Sequence, residues 1–149
     1  HPKVEVVLEV SHAPAGAAAS ETHVIVRVGP LGDSALIARR LSVSELRLYA
    51  APAALGTLVP EEARARLLEA GLAEVVPLGQ YRTVVAFEDG RPVRRAQALE
   101  PLVRHGLVMA GAGAAWLPVF LCRGAVERGA LLDLTPGAAV APSPRHPLH

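Results

Sequence analysis

Aromatic side chains are scarce in this sequence: Phe, Tyr and Trp together make up 3% of its 149 residues. Stacking a run of unpaired bases takes several rings, so a base-stacking nucleic-acid surface is disfavoured. Cysteine is nearly missing too. Cys122 stands alone, which rules out an internal disulfide and any thiolate zinc cluster and fits a reducing compartment, so the cytoplasm is the expected location. No uninterrupted apolar run is long enough to span a bilayer. Charge of one sign is also lacking: 15 Lys and Arg against 14 Asp and Glu leave a net charge of +1. There is no overall field to draw the chain to DNA or an anionic membrane, and a polyanionic partner would need a local patch.

What remains is an apolar, aliphatic sequence. Hydrophobic residues make up 51% and charged residues 19%, too apolar a mixture for disorder, with a core to be built from Leu, Val and Ala rather than from rings. The length suits one ordinary core or two small subdomains. The opening "HPKVEVV" lacks a methionine and a signal peptide, so the chain reads as a piece of something longer.

Alternation predicts strands over Val4–Val10 and Val24–Val28, the latter stopped by Gly29 and Pro30, and extended segments over Leu36–Leu41 and Leu46–Ala50. The clearest helix begins at Pro60, carries Glu61 and Glu62 at its dipole-positive end, and should close on Gly71 with Leu72 folded back on Leu67. Glu62 and Arg66 are spaced to pair. "EDGR" places a two-residue turn at Asp89-Gly90 between two strands. A second helix is expected over about Leu99–Ala110, weakened by Gly106. "GAAWL" reads as a short buried strand, Pro118 as the start of a third helix closed by Gly129, and "LLDL" as a last strand. Helices alternating with strands indicate an α/β fold. The tail "TPGAAVAPSPRHPLH" is expected to be loop or extended linker.

The blocks "VRVGPLGDSALIARRL", "LRLYAAPAAL" and "ALEPLVRHGLVMAGAGAAWLPVFLCRGAVERGALLDL", in that order and after "HPKVEVVLEV", resemble the effector-binding domain of LysR-type bacterial transcriptional regulators. The resemblance covers His1 to about Pro144. It implies a periplasmic-binding-protein-like (type II) α/β fold: two α/β subdomains joined by crossover segments, with a small molecule held between them. On that template residues 1–48 form a partial first subdomain, 49–143 the second, and 144–149 the return crossover or tail. The winged helix-turn-helix, the first strand and helix of subdomain one and the final helix of the family pattern are absent, so the first subdomain is incomplete. His23 stands where the family often has Asp, and "AAP" at residues 50 to 52 stands where "ASP" is usual.

The resemblance implies ligand contacts from Gly29, Pro30, Leu31 and Ser34 on one wall, Ala51 at the crossover, and Gly111, Ala112 and Gly113 on the other. Glycine lets a ligand approach the backbone, and Ser34 offers a hydroxyl. Each has a plainer reading: Asp33 and Ser34 can simply tighten a turn, and "GAGAAW" can be a tight helix-to-strand connection. That stretch is not a dinucleotide fingerprint, because a tryptophan replaces the third glycine and the helix precedes the strand.

No catalytic residue, metal site or cofactor is expected. No G-x-S-x-G occurs, and Cys122 falls on a helix where a buried inert thiol is usual. His105 suits a solvated helix end, and the H-x-x-H of His146 and His149 is interrupted by Pro147. Arg91, Arg94 and Arg95 form a small basic patch. The resemblance implies a non-enzymatic sensor of a small organic effector, carboxylic or aromatic. It implies a homodimer or tetramer in the intact protein, DNA contact only through a helix-turn-helix domain missing here, and no membrane contact. The competing readings are a transport-type solute-binding protein and a ligand-free dimerisation module.

Overall fold

The computed structural model describes residues 3–7, 24–26, 37–73 and 81–135, and the backbone of 145–148. The strands are β1 (Ser42–Ala50), β2 (Thr83–Glu88), β3 (Arg91–Gln97), β4 (Ala114–Pro118), β5 (Leu132–Asp133) and β6 (Arg145–Leu148). The helices are α1 (Pro60–Glu69), α2 (Pro101–Met109) and α3 (Val119–Glu127), and a 3-10 turn spans Pro52–Leu55. The main sheet has the order β3-β2-β4-β1-β5, and all its pairings are antiparallel.

β1 does two jobs. Its C-terminal half, from Leu46 to Ala50, pairs with β4 and β5 inside the sheet, while its N-terminal half, from Ser42 to Glu45, leaves the sheet and pairs with β6. Arg47 sits at that junction. It donates to Asp133 of β5 at 2.9 Å and pairs with Glu45 at 3.1 Å, a half-buried cluster worth about 1 kcal/mol or less after solvent screening. Past β5 the ladder continues through a side chain: the Leu48 N–H donates to Thr135 Oγ1 at 3.0 Å, and the Leu134 N–H to the Leu48 carbonyl at 2.7 Å.

Period-two alternation splits the buried residues between two faces. Leu46, Leu48 and Ala50 of β1, Ala114 and Trp116 of β4 and Val85 of β2 share one face with Ala63 and Leu67 of α1. Tyr49, Ala115, Leu117 and Val84 take the other, under Val108 of α2 and Cys122 and Ala125 of α3. The result is a three-layer α/β/α sandwich.

Helix boundaries follow local chemistry. Pro60 opens α1 and Glu61 and Glu62 occupy its first turn. At its end the Gly71 N–H donates to Leu68 O and the Leu72 N–H to Leu67 O, with Gly71 at φ +65°, the Schellman arrangement expected there. The same double bond pattern closes α2 at Gly111 and α3 at Gly129. The Arg66 guanidinium reaches Glu62 at 2.5 Å and the Gly90 carbonyl at 2.7 Å, tying α1 to the β2–β3 hairpin. Asp89 and Gly90 both have positive φ, as a type I′ turn requires.

Several expectations need correction. Val4–Val7 carry no strand and are exposed, as are Val24 and Val26; the rest of those two runs lies outside the described residues. In place of separate segments at Leu36–Leu41 and Leu46–Ala50, one strand starts at Ser42, and residues 37–41 are irregular. A strand needs a ladder partner, which β6 and β4 supply only from Ser42 onward. β6 also puts a strand in the tail expected to be loop or extended linker. Helix α2 starts at Pro101 rather than Leu99, because the buried Arg104 draws the Ala98 and Leu99 carbonyls to its guanidinium at 2.8 and 2.6 Å. Ala70, three positions beyond the buried Leu67, is exposed at the helix cap.

A Cβ added at Gly106 of α2 would meet nothing within 4 Å, so no close approach explains this glycine. Gly106→Ala is therefore expected to stabilise the fold by about 0.5–1 kcal/mol through helix propensity. A chemical-denaturation midpoint that falls instead would show a constraint on Gly106 that the packing does not reveal.

Candidate functional site

Ala50 of β1 and Ala114 of β4 are cross-strand partners, so the chain leaving β1 and the chain entering β4 lie side by side at one edge of the sheet. Ala51, extended at φ −72° and ψ 146°, leads into the 3-10 turn, and its carbonyl accepts the Ala54 N–H at 2.9 Å. From the other side come Gly111, Ala112 and Gly113. A Cβ on Gly111 would stand 3.8 Å from the Cβ of Ala53. Tertiary pairing thus joins Ala51 with the α2–β4 turn across sixty positions of sequence.

The three residues of that turn differ in their surroundings. Gly111, at φ +79°, borders the 3-10 turn. Ala112 packs against the core beneath α2 and α3. Gly113, at φ +150°, is pressed onto β2: a Cβ there would lie 2.2 Å from the Val85 carbonyl oxygen, so its lack of a side chain serves packing. The Gly111 and Ala112 N–H groups are engaged by Val108 O and Leu107 O, which leaves them unable to hold an anion. Gly29, Pro30, Leu31 and Ser34 lie outside the described residues, so the opposite wall is not seen. The rule that ligands gather at the carboxyl edge of a parallel sheet does not apply to this antiparallel one.

Among the described residues no group of three or more His, Cys, Asp and Glu is placed to hold a metal ion. His105 lies within α2 rather than at its end. Arg91, Arg94 and Arg95 are exposed on β3, with Arg95 paired to Glu88. Cys122 is fully buried, and its thiol is pushed up to about 12, first by desolvation and then by the Asp133 charge. Tyr49, on the same face, is likewise raised to about 12, chiefly by desolvation. Both folded values exceed the unfolded ones, so the neutral forms stabilise the fold fully below about pH 9, and that contribution is lost as pH rises towards 12. Iodoacetamide at pH 8 should accordingly label Cys122 only in step with unfolding. Rapid alkylation of the native chain would contradict the burial.

A pocket of about 80 Å³ opens on the α1 face, with Leu48, Leu72, Tyr81, Thr83, Arg94 and Trp116 in its lining and Ala114 at its border with the Gly111 junction. Sequence reading missed it. The one available signal was a lone tryptophan in a strand of small and aliphatic residues.

No family model matches the sequence, and no curated protein matches it. Solved structures do. Full-length AphB, a Vibrio cholerae virulence activator of the LTTR protein family, superposes with a TM-score of 0.70 at 24% identity, over 99% of this chain and 51% of that one. CrgA, a LysR-type transcriptional regulator from Neisseria meningitidis, gives a TM-score of 0.56 at 24% identity, over 83% of this chain and 43% of that one. A variant AphB regulatory domain from Vibrio vulnificus gives 0.54 at 21% identity, over 83% and 63%. The chain spans about half the length of full-length AphB. These neighbours are transcriptional regulators rather than enzymes. With its antiparallel sheet covered by helices on both faces, the chain has the periplasmic-binding-protein-like fold found in the regulatory domains of LysR-type transcriptional regulators.

Proposed function

We propose that the chain is the effector-sensing domain of a cytoplasmic LysR-type regulator, in which a small organic effector lies between two lobes and biases their orientation. The described sheet and its three helices supply most of the lobe assigned to residues 49–143. The observation that carries this reading is β1 itself, which runs unbroken from the sheet into a two-stranded pair with β6. Two strands leaving a lobe together form a hinge, and a hinge lets a ligand select one of two lobe arrangements by differential affinity. The boundary at residues 48 and 49 falls inside this strand, so the lobe and its hinge share one element. Ala51, Gly111 and Ala112 stand at the lobe edge, to face Gly29, Pro30, Leu31 and Ser34 across the cleft, with Gly113 holding the turn against β2.

Calorimetric titration with a panel of small organic acids tests the reading. Saturable heat with a negative heat-capacity change supports it, and no heat from any member would favour the ligand-free dimerisation module instead.

The intact regulator would act on DNA through a helix-turn-helix domain and assemble as a dimer or tetramer. Support for assembly comes from the outward side of α2: Leu102, Val103, Gly106, Met109 and Ala110 are all exposed, and none is charged. A two-fold contact sets the same patch of both copies together, and a second copy brought against this face meets no like charge. Leu102→Asp should leave the circular dichroism unchanged and shift sedimentation towards the monomer; an unaltered sedimentation coefficient would exclude α2 from the contact.

A further inference from the structure

Trp116 is the single tryptophan of the chain. It is 7% exposed, and its indole Nε1 is buried without a hydrogen-bond partner among the described residues. A buried donor left unpaired costs about 1–3 kcal/mol, so such a group calls for a reason. Its ring packs against Tyr81 with centroids 5.8 Å apart, and both rings line the pocket of about 80 Å³ on the α1 face. Leu48 and Leu72 make the apolar wall, and Thr83 and Arg94 bring polar groups. Arg94 reaches Thr83 Oγ1 only at 3.5 Å, too far for a strong bond. Arg66 and Arg95 are paired with Glu62 and Glu88, whereas Arg94 has no carboxylate partner among the described residues.

We propose that this pocket is a second binding site, for a short-chain aliphatic carboxylate, separate from the effector cleft. Arg94 and Thr83 take the carboxylate, a guanidinium–carboxylate pair being among the stronger hydrogen-bonded contacts. Leu48, Leu72 and Trp116 cover the hydrocarbon. Size sets the class: a cavity of about 150 Å³ holds benzene, so a space about half as large suits a few aliphatic carbons better than a ring. The lining sets the separation: the pocket adjoins Gly71 and Leu72 at the C-terminal end of α1 and reaches Ala114, the partner of Ala50, whereas Ala51, Gly111, Ala112 and Gly113 take no part in it.

Because there is one tryptophan, its emission reports this pocket directly. The 149-residue chain would be titrated with isobutyrate and, as the uncharged counterpart, isobutanol. The expected result is a saturable change in Trp116 emission with isobutyrate, and at least about tenfold weaker binding of that acid to Arg94→Gln, as loss of one charge-assisted contact predicts. The exposed Arg94 can be changed without touching the core, and isobutanol should bind both forms alike. Absence of any saturable change with isobutyrate overturns the site. Equal binding of isobutyrate by the parent and Arg94→Gln overturns its assignment to an anion.

Discussion

Gly113→Ala should cost about 4 kcal/mol or more. Two effects add. The Cβ would stand 2.2 Å from the Val85 carbonyl oxygen, 2.5 Å from its carbon and 2.9 Å from the Ala86 nitrogen, all backbone atoms of an interior strand that cannot swing aside. The residue would also inherit φ +150°, a conformation that costs a side-chain-bearing residue about 1–3 kcal/mol. Against a typical total stability of about 5–15 kcal/mol, most of the margin disappears, and Tm should fall by roughly 10 °C or more. Gly111→Ala is the control. Its Cβ meets Ala53 at an ordinary 3.8 Å, so left-handed strain alone applies, about 1–2 kcal/mol. Equal thermal shifts in the two variants would show that β4 does not press on β2 at Gly113.

Leu67→Ala should cost about 3–5 kcal/mol. Leu67 is wholly buried, and with Ala63 it makes up the buried side of α1. Alanine at 67 would leave the helix with two methyl groups for an anchor and a void in the core cluster that Leu67 shares with Leu48 and Trp116. Leu68→Ala, next along the helix but 41% exposed, should cost well under about 1 kcal/mol. Urea midpoints measured for the pair decide the matter, and a Leu67 loss no greater than that of Leu68 would mean that α1 is held by something other than its apolar stripe.

Much of the fold was legible because its signals are local. Pro60 and Gly71 bound α1, Asp89-Gly90 turns the hairpin, and Pro118 and Gly129 frame α3, each through backbone geometry that the residue itself imposes. The burial of "AAWL" and of Cys122 followed from apolar runs. The strands forecast near the N-terminus failed for a different reason. Valine alternation in "VEVVLEV" measures suitability for a pleated face, and a strand exists only where another strand completes its hydrogen bonds. Likewise, the start of α2 was misplaced because Arg104 holds the Ala98 and Leu99 carbonyls from a position that no local pattern signals.

The candidate sites divide the same way. Ala51 and Gly111 were named through a family resemblance, and their proximity depends on the Ala50–Ala114 register. The glycine at 113 was legible as a residue, whereas its purpose was not, since the Val85 carbonyl it touches lies 28 positions away. The pocket of Trp116 and Arg94 gave almost no warning, being assembled from β1, β2, β3, β4 and the end of α1.

What the sequence alone determined, then, is where helices start and stop, where the hairpin turns, and which residues seek the interior, because these depend on dihedral preference and on transfer of apolar groups from water. The tertiary structure alone decided that β1 belongs half to the sheet and half to a pair with β6, that the described sheet pairings are antiparallel, and that Trp116 and Arg94 line one recess. Those are pairings between distant segments, and their free energy exists only once the intervening chain has closed the loop.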